Sequence, residues 1–201
     1  MSKLIYLMLI FISVQGMSQQ FPSQIWHDGK LVLANEDTIQ GQIMYNLDRD
    51  IVQVKTSKKI FTFSSSKIFF FEIFDKTVDN YRQFYALPYA IQGTYKTPVL
   101  FEVLVEGKIT LLARENISYR SAQIDPYSYR MGSYSKKVLV YDYYFLDSKG
   151  KITKYTMKKK DLLDVLSRRY DQMQEYIRVN NLRHDKRNDL IRIISYYNAV
   201  I

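Results

Sequence analysis

The stretch Val99–Leu112, VLFEVLVEGKITLL, decides the fold class. Two apolar runs flank Glu106-Gly107-Lys108, a compact turn that reverses the chain into an adjacent antiparallel strand. A second stretch repeats the pattern: Val138–Leu146 and Lys151–Thr156 flank Asp147-Ser148-Lys149-Gly150. Toward the N-terminus, further short runs are separated by turn formers. They are Leu31–Leu33, Ile39–Tyr45, Ile51–Lys55, Ile60–Phe63, Ile68–Phe74 and Tyr81–Leu87. Ile51–Lys55 and Ile60–Phe63 alternate with period two, whereas Ile68–Phe74 is apolar on both faces. Eighteen tyrosines and eleven phenylalanines, against seven glycines and four prolines, suit pleated, half-buried surfaces. The segments predict a mainly β fold: an antiparallel sandwich, roll or barrel of about nine to ten strands. No helical segment separates the runs, so the crossovers of a parallel sheet are missing.

Beyond Met157 the period changes to that of a helix. Leu162, Leu163, Val165 and Leu166 share one arc, and Met173, Tyr176 and Ile177 repeat the spacing up to Asn180-Asn181. Leu190, Ile193, Ile194 and Tyr197 form an i, i+3, i+4, i+7 stripe behind Asp185, a candidate N-cap. These two to three short helices need an apolar surface, and the β-domain is the nearest. The expected organisation is a β-domain over residues 19–156 with a helical segment, 157–201, docked on it.

Residues 1–18 read as a secretory signal peptide: Lys3, an apolar run Leu4–Val14, then Gln15-Gly16-Met17-Ser18 with cleavage after Ser18. The apolar run is shorter than the about 20 residues that span a bilayer. The expected location is periplasmic or extracellular, and with no cysteine in the chain, stability rests on packing and not on disulfides. Without Lys3 the chain carries 28 basic against 20 acidic residues. Residues 151–201 hold twelve of those basic residues and six of the acidic ones, so the positive excess belongs to the C-terminal quarter. Export removes nucleic acid from the expected partners and leaves another envelope protein or an anionic envelope surface.

Trp26-His27-Asp28-Gly29-Lys30-Leu31-Val32-Leu33, followed by Asp37-Thr38-Ile39-Gln40-Gly41-Gln42-Ile43, resembles the N-terminal signature of uncharacterised exported β-rich proteins of Bacteroidota. Asn180-Asn181-Leu182 and Tyr196-Tyr197-Asn198 are similar to their helical endings. The resemblance implies an exported envelope protein and brings no assigned chemistry with it.

The residues that carry chemistry elsewhere are sparse. His27 and His184 stand alone, without Cys or His-x-x-x-His spacing, so neither metal nor cofactor is expected. Both histidines read as exposed polar residues, His27 beside an Asp28-Gly29 turn. No Gly-x-Ser-x-Gly elbow and no phosphate-cradling glycine loop occurs. Glu102 and Glu106, four apart in one strand, are a candidate carboxylate pair for glycan hydrolysis, as are Glu72 and Asp75 by proximity in number. Cross-strand pairing of Glu102 with a basic residue is the simpler expectation. The candidate binding residues are Tyr127, Tyr129, Arg130 and Tyr134, in a turn-rich stretch with aromatic faces and a guanidinium. Lys158, Lys159 and Lys160 form a second candidate. They oppose the macrodipole of the helix that follows, so that helix is expected to start nearer Asp161.

These readings converge on a non-catalytic interaction or structural module of the envelope, not an enzyme. A β-barrel carrier of small molecules or lipids is the alternative, and an outer-membrane barrel or a glycan-active enzyme stands behind it.

Overall fold

The computed structural model describes residues 20–121 and 135–201. The expected signal peptide and the candidates Tyr127, Tyr129, Arg130 and Tyr134 lie outside the described residues. Ten strands form one antiparallel, open sheet: β1 (His27–Leu33), β2 (Thr38–Asn46), β3 (Ile51–Lys55), β4 (Ile60–Ser64), β5 (Ile68–Asp75), β6 (Asn80–Tyr89), β7 (Thr97–Val105), β8 (Ile109–Ser121), β9 (Ser135–Asp147) and β10 (Ile152–Lys154). Their order is β10-β9-β8-β7-β6-β5-β1-β2-β3-β4. Two meanders are therefore joined where β5 returns to the free side of β1. The mainly β class and the strand number agree with the sequence reading.

The sheet coils because its sequence lets it bend. Gly29 on β1 pairs with Gly41 on β2. A Cβ on Gly29 would lie 2.2 Å from the Glu72 carbonyl oxygen, and one on Gly41 2.5 Å from that of Lys55. Neighbouring backbones approach so closely that only glycine fits, as at the corners of small barrels. The Asp28-Gly29 pair is thus strand and not the turn read from sequence; a turn former here serves close approach.

Side chains, not a strand ladder, then draw the β2–β3 corner onto β7. The β7–β8 register starts only at Glu102–Ala113, leaving the preceding backbone of β7 open on that side. Asp50 accepts from the Leu100 amide at 2.8 Å and from Arg114 at 2.8 Å, while Arg114 also donates to the Leu100 carbonyl at 2.7 Å. Ser65 donates to the Pro98 carbonyl at 2.6 Å. The buried backbone groups of β7 are satisfied without an eleventh strand.

Three apolar clusters result, two large cores and a small cluster of Val99, Phe101, Leu112 and Tyr144. Inside the coil, Leu31, Ile43, Val52, Val54, Phe71 and Phe84 are wholly buried, with Phe71 and Phe84 stacked at 4.5 Å. The second core lies between β8–β9 and three helices: α1 (Lys159–Val165), α2 (Tyr170–Val179) and α3 (Arg187–Val200). The expected stripe Leu190, Ile193, Ile194 and Tyr197 packs against Leu111, Tyr143 and Phe145. Each such side chain contributes about 1.5–3 kcal/mol by leaving water. Asn198 fastens the end of α3 by donating to the Ile109 carbonyl at 2.8 Å and accepting from its amide at 3.0 Å.

Two helix starts differ from the sequence reading. Lys158 occupies the N-cap position of α1 and the helix begins at Lys159, so the triplet enters the first turn. Asp161, inside that turn, accepts from the Thr156 hydroxyl and offsets the unfavourable charge from within. Asp185 does not cap α3; Lys186 stands at its N-cap, and Asp185 is drawn instead to Arg183 at 2.8 Å.

Candidate functional site

Strand alternation brings polar side chains of five strands to the boundary between the two cores. Arg82 on β6 shares the inward face with Phe84, and Phe84 pairs across to Glu102 on β7. Glu102 pairs in turn with Ala113 on β8, and two residues on, the same face carries Glu115. Asp75 ends β5 on the inward side, and Tyr45 of β2 reaches in across the coil. A period of two aims all of these at one point.

Arg82 donates all five of its N–H groups there. Nε goes to Glu102 Oε1 at 2.9 Å, Nη1 to Asp75 Oδ2 and the Tyr45 hydroxyl at 2.9 Å each, and Nη2 to Glu102 Oε2 at 3.0 Å and Glu115 Oε2 at 2.9 Å. The Tyr45 hydroxyl donates in turn to Glu115 Oε1 at 2.8 Å. Asp75 Oδ1 accepts from the Thr77 amide and hydroxyl at 2.9 and 2.6 Å. Arg187, the first residue of α3, donates to Glu102 Oε1 at 2.6 Å and lies over the Tyr141 ring at 4.8 Å. Asp75, Arg82, Glu102 and Glu115 are all at least nine-tenths buried.

Burial pushes the Glu102 carboxyl up, but the Arg82 guanidinium and then Arg187 outweigh it and hold the group below the usual carboxylate range. Asp75 is lowered as well: burial acts against ionisation, and Thr77 and Arg82 overcome it. Burial, reinforced by Glu115 and opposed by Arg82, raises the Tyr45 phenol well above its ordinary value. The carboxylates Asp75 and Glu102 thus stay ionised and Tyr45 neutral at neutral pH. A general acid at that pH needs the opposite shift.

Beside this knot, a cleft of about 460 Å³ opens between α3 and the sheet, bordered by Tyr81, Arg82, Glu102, Tyr141, Arg187 and Asn188. Sequence reasoning reached only Glu102 and Asp75 among the residues of the knot and the cleft. The signal for the rest was a polar residue at an inward strand position, Arg82 before Phe84 and Glu115 after Ala113.

The other sequence candidates are scattered. Glu106 is exposed beyond the end of β7, so it forms no pair with Glu102. Glu72 faces outward, bonded to Gln83 at 2.7 Å and Lys30 at 3.3 Å, while Asp75 faces inward. His27 is buried, not exposed: its Nε2 donates to the Pro22 carbonyl at 2.7 Å, and its Nδ1 lies 4.0 Å from Asp75. His184 is half-buried and bonded to the Tyr155 hydroxyl at 3.2 Å. Lys158, Lys159 and Lys160 are exposed at the start of a helix of seven residues, away from the cleft. Among the described residues, no three metal-ligating side chains cluster, and no helix is long and apolar enough to cross a membrane. Comparisons with protein-family models, with characterised proteins and with solved structures found no match.

Proposed function

We propose that the chain is an exported, non-catalytic module of the cell envelope that acts by contact. The observation that carries this reading is the saturation of Arg82. Its five donors, and the carboxylates and phenol around them, satisfy one another, so the constellation is closed on itself apart from Arg187, whose buried Nη1 has no partner among the described residues. Its work is structural, tying β2, β5, β6, β7, β8 and α3 together at one point. Export is supported by the charged, apolar and small-residue sequence of residues 1–18.

Cell fractionation with N-terminal sequencing tests the location: the expected chain is found outside the cytoplasm and starts at Gln19. Photo-reactive residues at exposed Ile60, Tyr119 and Val179 test the contacts in living cells. Discrete adducts in the envelope fraction are expected. An intact cytoplasmic chain overturns the first half of the reading. A turnover activity lost in a folded Glu102→Gln variant overturns the second.

A further inference from the structure

We infer that β4 is a docking edge for an extended segment of a partner protein, one with alternating apolar residues and acidic residues at its ends. The inference rests on the reading of the chain as a contact module and names the partner's chemistry.

The backbone sets the geometry. Thr56 donates to the Lys59 carbonyl, and Ser65 to that of Asp50, at the two ends of the β3–β4 ladder. The register between them pairs Val54 with Phe61 and Val52 with Phe63. Hydrogen-bonded pairs alternate in an antiparallel ladder, so Phe61 and Phe63 spend their N–H and C=O groups on β3. Ile60, Thr62 and Ser64 aim theirs away from the sheet. β4 ends the strand order, so among the described residues no strand meets that row. An apolar edge strand in this state is a template for another strand. Its side chains fit the role: Ile60 is 55% exposed, and Phe61 and Phe63 stack at 6.1 Å on the half-buried side.

Charge selects the occupant. Residues 51–67 contain Lys55, Lys58, Lys59 and Lys67 and no acidic residue. Among the described residues none of these four forms an ion pair; Lys55 lies over the Trp26 ring and Lys59 over that of Phe61. A second copy pairing through its own β4 would bring four lysines against four, and edge lysines are the usual guard against such self-pairing. A partner strand with carboxylates at both ends meets Lys58 and Lys59 at one end and Lys67 at the other. An anionic membrane would also attract the lysines but would leave the N–H and C=O row of Ile60, Thr62 and Ser64 unsatisfied in hydrocarbon. The open backbone row therefore favours a peptide strand.

The test uses the whole mature chain and two labelled peptides, Asp-Val-Thr-Val-Thr-Val-Glu and the same core with lysine at both ends, followed by fluorescence anisotropy. The acidic peptide is expected to bind at least about tenfold more tightly, a preference that salt weakens. Thr62→Pro removes an N–H that β3 does not use, so it is expected to keep the far-ultraviolet spectrum and melting temperature while losing about tenfold or more in binding. Lys58→Glu together with Lys59→Glu is expected to reverse the peptide preference. Equal binding of the two peptides, or full binding by a folded Thr62→Pro variant, overturns the docking edge. Binding of both proteins to phosphatidylglycerol vesicles but to neither peptide overturns it in favour of a membrane surface. In-cell adducts from Tyr119 with none from Ile60 overturn this site while leaving the contact-module reading in place.

Discussion

Arg82 and Glu102 meet side by side, Nε on Oε1 at 2.9 Å and Nη2 on Oε2 at 3.0 Å, in a buried two-pronged pair between adjacent strands. Glu102 then receives Arg187 from α3 on the same Oε1, so one carboxylate joins the sheet to the helical layer. A buried guanidinium is tolerable only where each donor finds an acceptor, and here each does.

Arg82→Met strands the carboxylates of Asp75, Glu102 and Glu115 in a buried setting. The expected loss of stability is about 3–5 kcal/mol, because uncompensated buried charge costs far more than the pair contributes. Arg82→Lys recovers only part of it, since three donors replace five. Urea unfolding of the two variants beside the parent measures both.

Glu102 and Asp75 ionise in the folded chain below their ordinary values of 4.5 and 3.8. The unfolded chain takes up protons first as pH falls, so their contribution is complete above the unfolded values and drains away below about 4.5. The urea midpoint is expected to hold between neutral pH and about pH 5 and then drop toward pH 3. Glu102→Leu with Arg82→Met is expected to flatten part of that drop.

Gly29→Ala places a methyl group 2.2 Å from the Glu72 carbonyl oxygen, where only backbone can yield. The expected cost is about 1–3 kcal/mol, as for other overpacked sites. Gly150→Ala, with open space around it but φ of +78°, tests strain without collision. Comparing the two melting temperatures separates close approach from conformation.

Asn198→Ala leaves the amide and carbonyl of Ile109 without their partners and loosens the end of α3 from β8. A loss of about 1–3 kcal/mol is expected. Hydrogen exchange should quicken first at Ile109 and in the last turn of α3.

Nearly every strand was legible in the sequence, because alternation and turn formers act locally: Ile51–Lys55, for instance, is β3 as read. The length of β8 and β9 was not. Their outer halves pair only with each other over polar residues such as Arg114–Tyr119, where periodicity carries little signal. Gly29 read as a turn because glycine marks both turns and close approach, and only the Glu72 backbone distinguishes them. The Arg82 knot draws on residues up to 70 positions apart, Tyr45 and Glu115 among them, and depends on how the sheet coils. Lys158–Lys160 looked misplaced at a helix start because hydrophobic period does not show the local Thr156–Asp161 hydrogen bond that accompanies them.

The central claim is that Arg82 makes the two cores one cooperative unit. The single tryptophan, Trp26, half-buried just before β1 with Lys55 of β3 over its ring, reports on the β1–β3 side of the sheet, and the helical signal near 222 nm reports from the second core, so urea unfolding can be followed from both sides at once. The parent chain is predicted to show coincident transitions, and Arg82→Met two separated ones, with the helical signal lost at a different midpoint from Trp26. Coincident transitions in the Arg82→Met variant would contradict the account.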